Sequence, residues 1–66
     1  MNILDVIPLL EPVHYDGFGY GYSFTSLIKF FHGDQYLTEA KLQELEAIGK
    51  VEIYYFNEIP VAFKVL

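Results

Sequence analysis

The chain has no cysteine and no arginine, and its permanent positive charge comes from four lysines. The lack of cysteine excludes disulfides and thiolate metal sites. The lack of arginine removes the bidentate fork that makes the commonest base contact in protein–DNA complexes. Nine carboxylates outnumber the lysines and give a formal net charge of −5. Because DNA binding depends on basic groups that neutralise phosphates, this balance argues against nucleic acid as a partner.

Long apolar runs are absent as well. None approaches the ~20 residues that a membrane-spanning helix needs. Residues 1–5 also lack the basic side chains with which a signal peptide begins. We therefore expect a cytoplasmic protein without a membrane segment.

The length of 66 residues suits a single small domain, residues 1–66. A chain of this size buries only ~60% of the surface that its unfolded form exposes. Its composition compensates, because 53% of the residues are hydrophobic and six Tyr and six Phe are among them. Each buried aromatic side chain removes ~150–250 Å² from water. We expect a compact core that needs neither disulfide nor metal.

The first predicted helix lies within residues 2–12, where apolar residues recur at intervals of three and four. Pro8 is compatible with two different starting points for this helix. If Asp5 is the N-cap, Pro8 falls in the first turn, where proline is tolerated. If the helix begins at Asn2, we expect a bend near Leu4.

Glycine alternates with aromatic residues in the next segment, so that an extended chain would have an aromatic face and a bare backbone face. A short strand near Gly19–Tyr22 and a mobile loop both fit this pattern. Five of the twelve aromatic residues lie between Tyr15 and Phe24. Core packing accounts for about half of these side chains, and we expect the others to face solvent or a partner.

Two more helices follow in the sequence. Ser23 or Thr25 is expected to cap the second helix, which runs to about His32. Thr38 is expected to cap the third helix, and Gly49 is placed to end it. Leu37 and Leu42 occupy the positions of a hydrophobic staple at the start of this third helix.

The sequence of residues 51–66 predicts a β-hairpin, and its alternation of apolar and polar side chains indicates how the two strands pair. Pairing 51–56 with 60–65 so that Glu52 is opposite Lys64 makes the other face wholly apolar. This register places Tyr55 opposite Val61.

The alternative hairpin sets Phe56 opposite Ile59 across a two-residue turn and would exchange the two faces. The turn residues Asn57-Glu58 also lack the glycine that a tight turn favours. We therefore expect the first register and a longer loop.

The third helix and the hairpin carry a family resemblance. The segment Leu42-x-x-Leu45-x-x-Ile48-Gly49-x-Val51, followed by a hairpin, resembles the end of the third helix and the wing of a winged-helix domain. The fold expected from this resemblance is α+β, with three short helices, a C-terminal β-hairpin and a third short strand near Gly19–Tyr22.

The resemblance also identifies a candidate surface, because the third helix of winged-helix proteins usually lies in the DNA major groove. The matching outward positions here are Glu39, Gln43 and Glu46. Two carboxylates would be repelled by phosphates, so the resemblance implies the fold and leaves inherited DNA binding in question. Several winged-helix proteins bind proteins instead.

The sequence contains no catalytic constellation, and we expect neither an enzyme nor a cofactor. Gly17-x-Gly19-x-Gly21 lacks the spacing of a dinucleotide-binding fingerprint. His14 and His32 do not predict a metal site, because zinc requires three or four ligands and nothing in the spacing joins these two.

Two functions from different classes fit these observations. The first is a small acidic non-enzymatic protein-interaction module, an inhibitor or adaptor of the kind that phages encode, acting on the basic surface of a nucleic-acid-binding protein. The alternative is a winged-helix DNA-binding transcriptional regulator whose few lysines cluster on one side. The acidic residues could also serve only to keep the protein soluble.

The first function assigns distinct roles to two groups of side chains. Acidic residues would steer the module to its partner, and aromatic residues would supply buried anchors. The candidate partner-binding residues are Tyr15, Phe18, Tyr20, Tyr22, Glu39, Gln43 and Glu46. An exposed aromatic tract and a hairpin edge would also permit a homodimer.

Overall fold

The computed structural model describes residues 2–66 and contains three helices and one four-stranded sheet. Short 3₁₀ turns, Ile7–Leu9 and Lys29–Phe31, follow the first and second helices. In chain order the elements are α1 (Ile3–Val6), β1 (Val13–Tyr15), β2 (Gly19–Ser23), α2 (Phe24–Ile28), α3 (Gln35–Ala47), β3 (Val51–Phe56) and β4 (Ile59–Val65). The sheet is antiparallel with the strand order β1-β2-β4-β3. The α+β class expected from the sequence is confirmed.

The two N-terminal helices begin at polar caps. The side-chain oxygen of Asn2 accepts a hydrogen bond from the Leu4 N–H at 3.1 Å, so Asn2, and not Asp5, is the N-cap of α1. The helix narrows to a 3₁₀ turn that contains Pro8, because proline has no N–H to continue the α-helical ladder. Ser23 caps α2 and accepts from the Ser26 N–H.

The start of α3 differs from the predicted one. Asp34 is the N-cap, with an extended backbone and a carboxylate oxygen 2.9 Å from the Leu37 N–H. Thr38 lies inside the helix and is fully buried, and its hydroxyl donates to the Asp34 carbonyl oxygen at 2.8 Å. The predicted Thr38 cap is therefore wrong, and so is the staple of Leu37 with Leu42, because Leu37 lies in the first turn of α3 and not before its cap.

The C-terminal hairpin follows the predicted register in its inner half, which is the part away from the turn. Val51 pairs with Val65 and Glu52 with Lys64, and this pattern continues to Tyr54. A bulge lies between Tyr54 and Tyr55, beyond which the register is shifted.

The outer half of the hairpin, next to the turn, adopts the alternative register, which the sequence disfavoured. Tyr55 is opposite Pro60, which makes Val61 the extra residue, and Phe56 pairs with Ile59. The two-residue turn Asn57-Glu58 is formed by left-handed residues, with φ of 51° and 66°. The predicted pair of Tyr55 with Val61 and the longer loop are wrong, because the bulge absorbs the one-residue offset between the two registers.

The N-terminal hairpin contains one strand more than the sequence indicated. The predicted strand near Gly19–Tyr22 is β2, and it pairs with the unpredicted β1, in which His14 faces Tyr20. On its other side β2 pairs with β4 through Tyr22 and Phe63.

The core lies between the helices and one face of the sheet. Its buried members are Ile3, Val6, Phe24, Leu27, Phe31, Leu42, Val51, Ile53 and Phe63. Leu45 packs against this cluster, but Ile48, the last apolar residue before Gly49, is 66% exposed. Since side chains alternate along a strand, the residues between these strand positions point to the opposite face of the sheet, which we call the outer face.

Candidate protein-interaction site

The outer face of the sheet carries an aromatic cluster of Tyr15, Phe18 and Tyr54. The rings of Phe18 and Tyr54 are stacked, with centroids 5.1 Å apart and an angle of 16° between their planes. Tyr15 meets both rings edge-on, at 6.4 Å from Phe18 and 6.1 Å from Tyr54. Offset stacking and edge contacts are the favoured arrangements of aromatic pairs. The cluster therefore attaches the β1–β2 hairpin to the C-terminal hairpin.

Gly21 provides the space in which Phe18 lies. A Cβ atom at Gly21 would be 3.0 Å from Cε2 of Phe18 and 2.7 Å from the carbonyl oxygen of Phe63. A side chain from the neighbouring turn thus lies against the bare backbone of this glycine.

Lys64 completes the outer face. Its Nζ donates a hydrogen bond to the Phe18 carbonyl oxygen at 2.9 Å and lies 4.5 Å from the centroid of the Phe18 ring. It also lies 3.6 Å from Oε1 of Glu52. This lysine is thus occupied by contacts within the chain.

The four aromatic candidates divide into an engaged group and an exposed residue. Tyr15 and Phe18 are half-buried in the outer-face cluster, and Tyr22 is half-buried against Phe63. Tyr20 is 69% exposed and contacts His14 edge-on. Only Tyr20 presents most of its ring to solvent.

Two of the three candidates on α3, Gln43 and Glu46, contact the edge strand β3. Oε2 of Glu46 accepts a hydrogen bond from the Ile53 N–H at 3.0 Å. Nε2 of Gln43 donates to the Tyr55 hydroxyl at 3.3 Å and to Oε2 of Glu39 at 3.5 Å. Glu46 therefore covers one backbone donor that an edge strand would otherwise expose.

The structure places two aromatic candidates, Tyr15 and Phe18, on the side of the sheet opposite to the α3 candidates. The α3 residues lie on the helical side of the sheet, because Glu46 bonds to Ile53, whose side chain is in the core. Tyr15 and Phe18 lie on the outer face with Tyr54. A single partner surface that contacts all seven candidates would have to wrap around the sheet.

The structure also contains a groove that the sequence analysis missed. This hairpin-tip groove, of about 350 Å³, lies between the tip of the C-terminal hairpin and the beginnings of α2 and α3. Its inner lining is formed by the buried or half-buried Phe24, Ile28 and Pro60. Tyr36 and Ile59 form its outer lining and are 77% and 64% exposed.

Charge distinguishes the hairpin-tip groove from three other grooves of the protein. Its lining includes Glu39 and Glu58 and no lysine among the residues that the structure describes. Three other grooves each contain one lysine, namely Lys41, Lys64 and Lys29. Of the sequence candidates, only Glu39 belongs to the hairpin-tip groove.

Residues 2–66 contain neither a cluster of metal-ligating side chains nor a membrane-spanning helix. No group of three or more His, Asp or Glu side chains in this range is placed to hold a metal ion. The longest helix in the same range, α3, has 13 residues, and none has the length and apolarity needed to cross a bilayer.

Comparison of the chain with protein-family models, with curated proteins and with solved structures found no match. The resemblance to winged-helix domains therefore stays a prediction.

Proposed function

We propose that this protein is a small non-enzymatic interaction module that binds a basic surface of another protein. The carrying observation is the hairpin-tip groove, where exposed Tyr36 and Ile59 lie beside Glu39 and Glu58. Rigid aromatic and aliphatic side chains are typical interface anchors, and complementary charge steers association. Nucleic-acid-binding proteins have basic surfaces that such a module could occupy. We therefore propose that it acts as an inhibitor or adaptor of a protein of that kind.

The positions of the lysines support a protein partner over a nucleic acid. Lys29, Lys41 and Lys64 line three separate grooves, and Lys64 is already paired with Glu52. Nucleic acid binding would benefit from a continuous basic strip that neutralises successive phosphates.

Affinity capture from a nuclease-treated cell extract tests the proposal. We expect the protein to capture basic nucleic-acid-binding proteins and to lose them as the salt concentration rises, because the attraction between exposed charges is screened. The matched control is the double variant Glu39→Lys/Glu58→Lys, which should capture none of them. Equal capture by both proteins would contradict the proposal.

A gel shift separates the proposal from the DNA-binding alternative. The phosphate contribution is strongest at low salt, so a regulator should shift a nonspecific duplex under those conditions. We expect no shift at micromolar protein. A shift that disappears at higher salt would instead support the regulator.

A further inference from the structure

We propose, on the basis of the interaction function above, that the hairpin-tip groove binds an extended basic segment of the partner. In this arrangement one apolar side chain of the segment inserts beside Phe24, Ile28 and Pro60. Lysine or arginine residues on either side of it pair with Glu39 and Glu58.

The groove has room for an inserted apolar side chain. Its volume of about 350 Å³ is near the lower end of the ~300–1,000 Å³ that is usual for ligand pockets. Its inner lining is apolar, while Tyr36 and Ile59 extend from it into solvent. An apolar side chain of the partner would cover the inner lining, and its neighbours along the chain would contact the two exposed residues.

The two acids are available for a partner. Glu39 contacts the Gln43 amide at the limit of hydrogen-bonding distance, 3.5 Å. Glu58 makes no side-chain hydrogen bond or ion pair with residues 2–66. They belong to different elements, α3 and the β3–β4 turn, so they border the groove from two directions.

Charge selects the basic segment over other occupants of an apolar groove. A second copy of this chain would bring a formal charge of −5 to the acidic border. An anionic lipid surface or a nucleic acid would be repelled for the same reason. A cationic segment gains attraction from both acids and can still supply an apolar anchor.

The probe for this inference is a short fluorescent peptide with one leucine flanked by arginines in a glycine–serine background. Fluorescence anisotropy at low salt measures its affinity, and amide chemical shifts locate it on the protein. We expect the shift changes to centre on Tyr36, Glu58 and Ile59. Peptides with serine for leucine, or with glutamine for the arginines, should bind more weakly.

Matched variants of the protein test the two kinds of contact. Glu39→Gln and Glu58→Gln should each weaken binding about two- to fivefold, as expected for exposed ion pairs. Glu44→Gln removes an equal charge from α3 outside the groove and should leave the affinity unchanged. Ile59→Ala should weaken binding about tenfold or more as an anchor position. Ile48→Ala, at a similarly exposed position outside the groove, should have no effect.

The outcomes separate this inference from the proposed function. The inference is overturned if the peptide does not bind, if Ile59→Ala and Ile48→Ala bind it equally well, or if the shift changes centre on Tyr20. If the extract experiment still captures basic proteins in those cases, the interaction function stands and only the groove is wrong. If neither the peptide nor any basic protein binds, both proposals fail.

Discussion

The ammonium group of Lys64 donates a hydrogen bond to the carbonyl oxygen of Phe18, a residue 46 positions earlier in the chain. The same group lies 4.5 Å from the centroid of the Phe18 ring. One lysine therefore serves as hydrogen-bond donor and as cation for a single residue of the neighbouring hairpin. The contact is half-buried, with 32% of the lysine side chain exposed.

Lys64→Met should destabilise the protein by about 1–3 kcal/mol. The substitution keeps the apolar stem but leaves the Phe18 carbonyl without its donor and removes the cation from the ring. Urea unfolding measures the change in free energy. Glu52→Gln, which removes only the exposed half of the ion pair, should cost no more than about 1 kcal/mol. Equal losses would mean that the ion pair, and not the contact with Phe18, stabilises the fold.

Gly21→Ala should be destabilising by about 1–3 kcal/mol, because the added methyl group is held against the Phe63 backbone and the Phe18 ring. Thermal unfolding measures the loss, and ring-current shifts of Tyr54 show whether the outer-face cluster has moved. Gly33→Ala is the comparison variant. It meets no atom within 4 Å and is strained only by its φ of +75°, so it should leave the Tyr54 signals unchanged. A more stable Gly21→Ala protein would contradict the close packing.

Glu58→Gly should stabilise the protein by about 0.5–1 kcal/mol. A left-handed backbone costs a residue other than glycine ~1–2 kcal/mol, and glycine avoids this cost. Part of the gain is lost because glycine has more conformational entropy in the unfolded state. Glu58→Gln keeps the φ of 66° and removes the charge, so it should change stability by less than about 0.5 kcal/mol. Denaturation midpoints should therefore rise for the first variant alone. If both rise equally, charge and not backbone strain is responsible.

Glu46→Ala should cost about 1–2 kcal/mol, because the Ile53 N–H loses a charged acceptor at the edge of the sheet. Hydrogen exchange at the Ile53 amide should accelerate by more than the global loss of stability explains. Glu44→Ala, on the same helix, should stay within about 0.5 kcal/mol of the parent protein. Sedimentation would also detect self-association through the uncovered strand. Unchanged exchange at Ile53 would show that the bond contributes nothing.

The sequence predicted those parts of the fold that depend on local patterns. The inner register of the C-terminal hairpin follows from the alternation of Val51, Ile53 and their partners, and Ser23 is one of the two caps predicted for α2. The start of α3 was not predictable in this way. Both Asp34 and Thr38 can cap a helix, and burial of Thr38 in the assembled core decides between them.

The hairpin bulge and the hairpin-tip groove could not be predicted from local sequence patterns either. A register argument assumes a constant offset between strands, so it cannot place the extra residue Val61. The groove exists only because the β3–β4 turn lies beside α2 and α3. Tyr36 would have been recognised as an outward residue once Asp34, and not Thr38, was taken as the cap.

The pairing of β2 with β4 has a consequence for synthesis on the ribosome. Two helices and a strand separate these partners in the chain, so the N-terminal hairpin emerges well before the residues that support it. Until translation delivers Phe63 and Lys64, the hairpin has neither its neighbouring strand nor its lysine contact. Such distant pairing slows folding relative to helical domains of equal length. The residues of β4 thus determine when β1 and β2 become ordered.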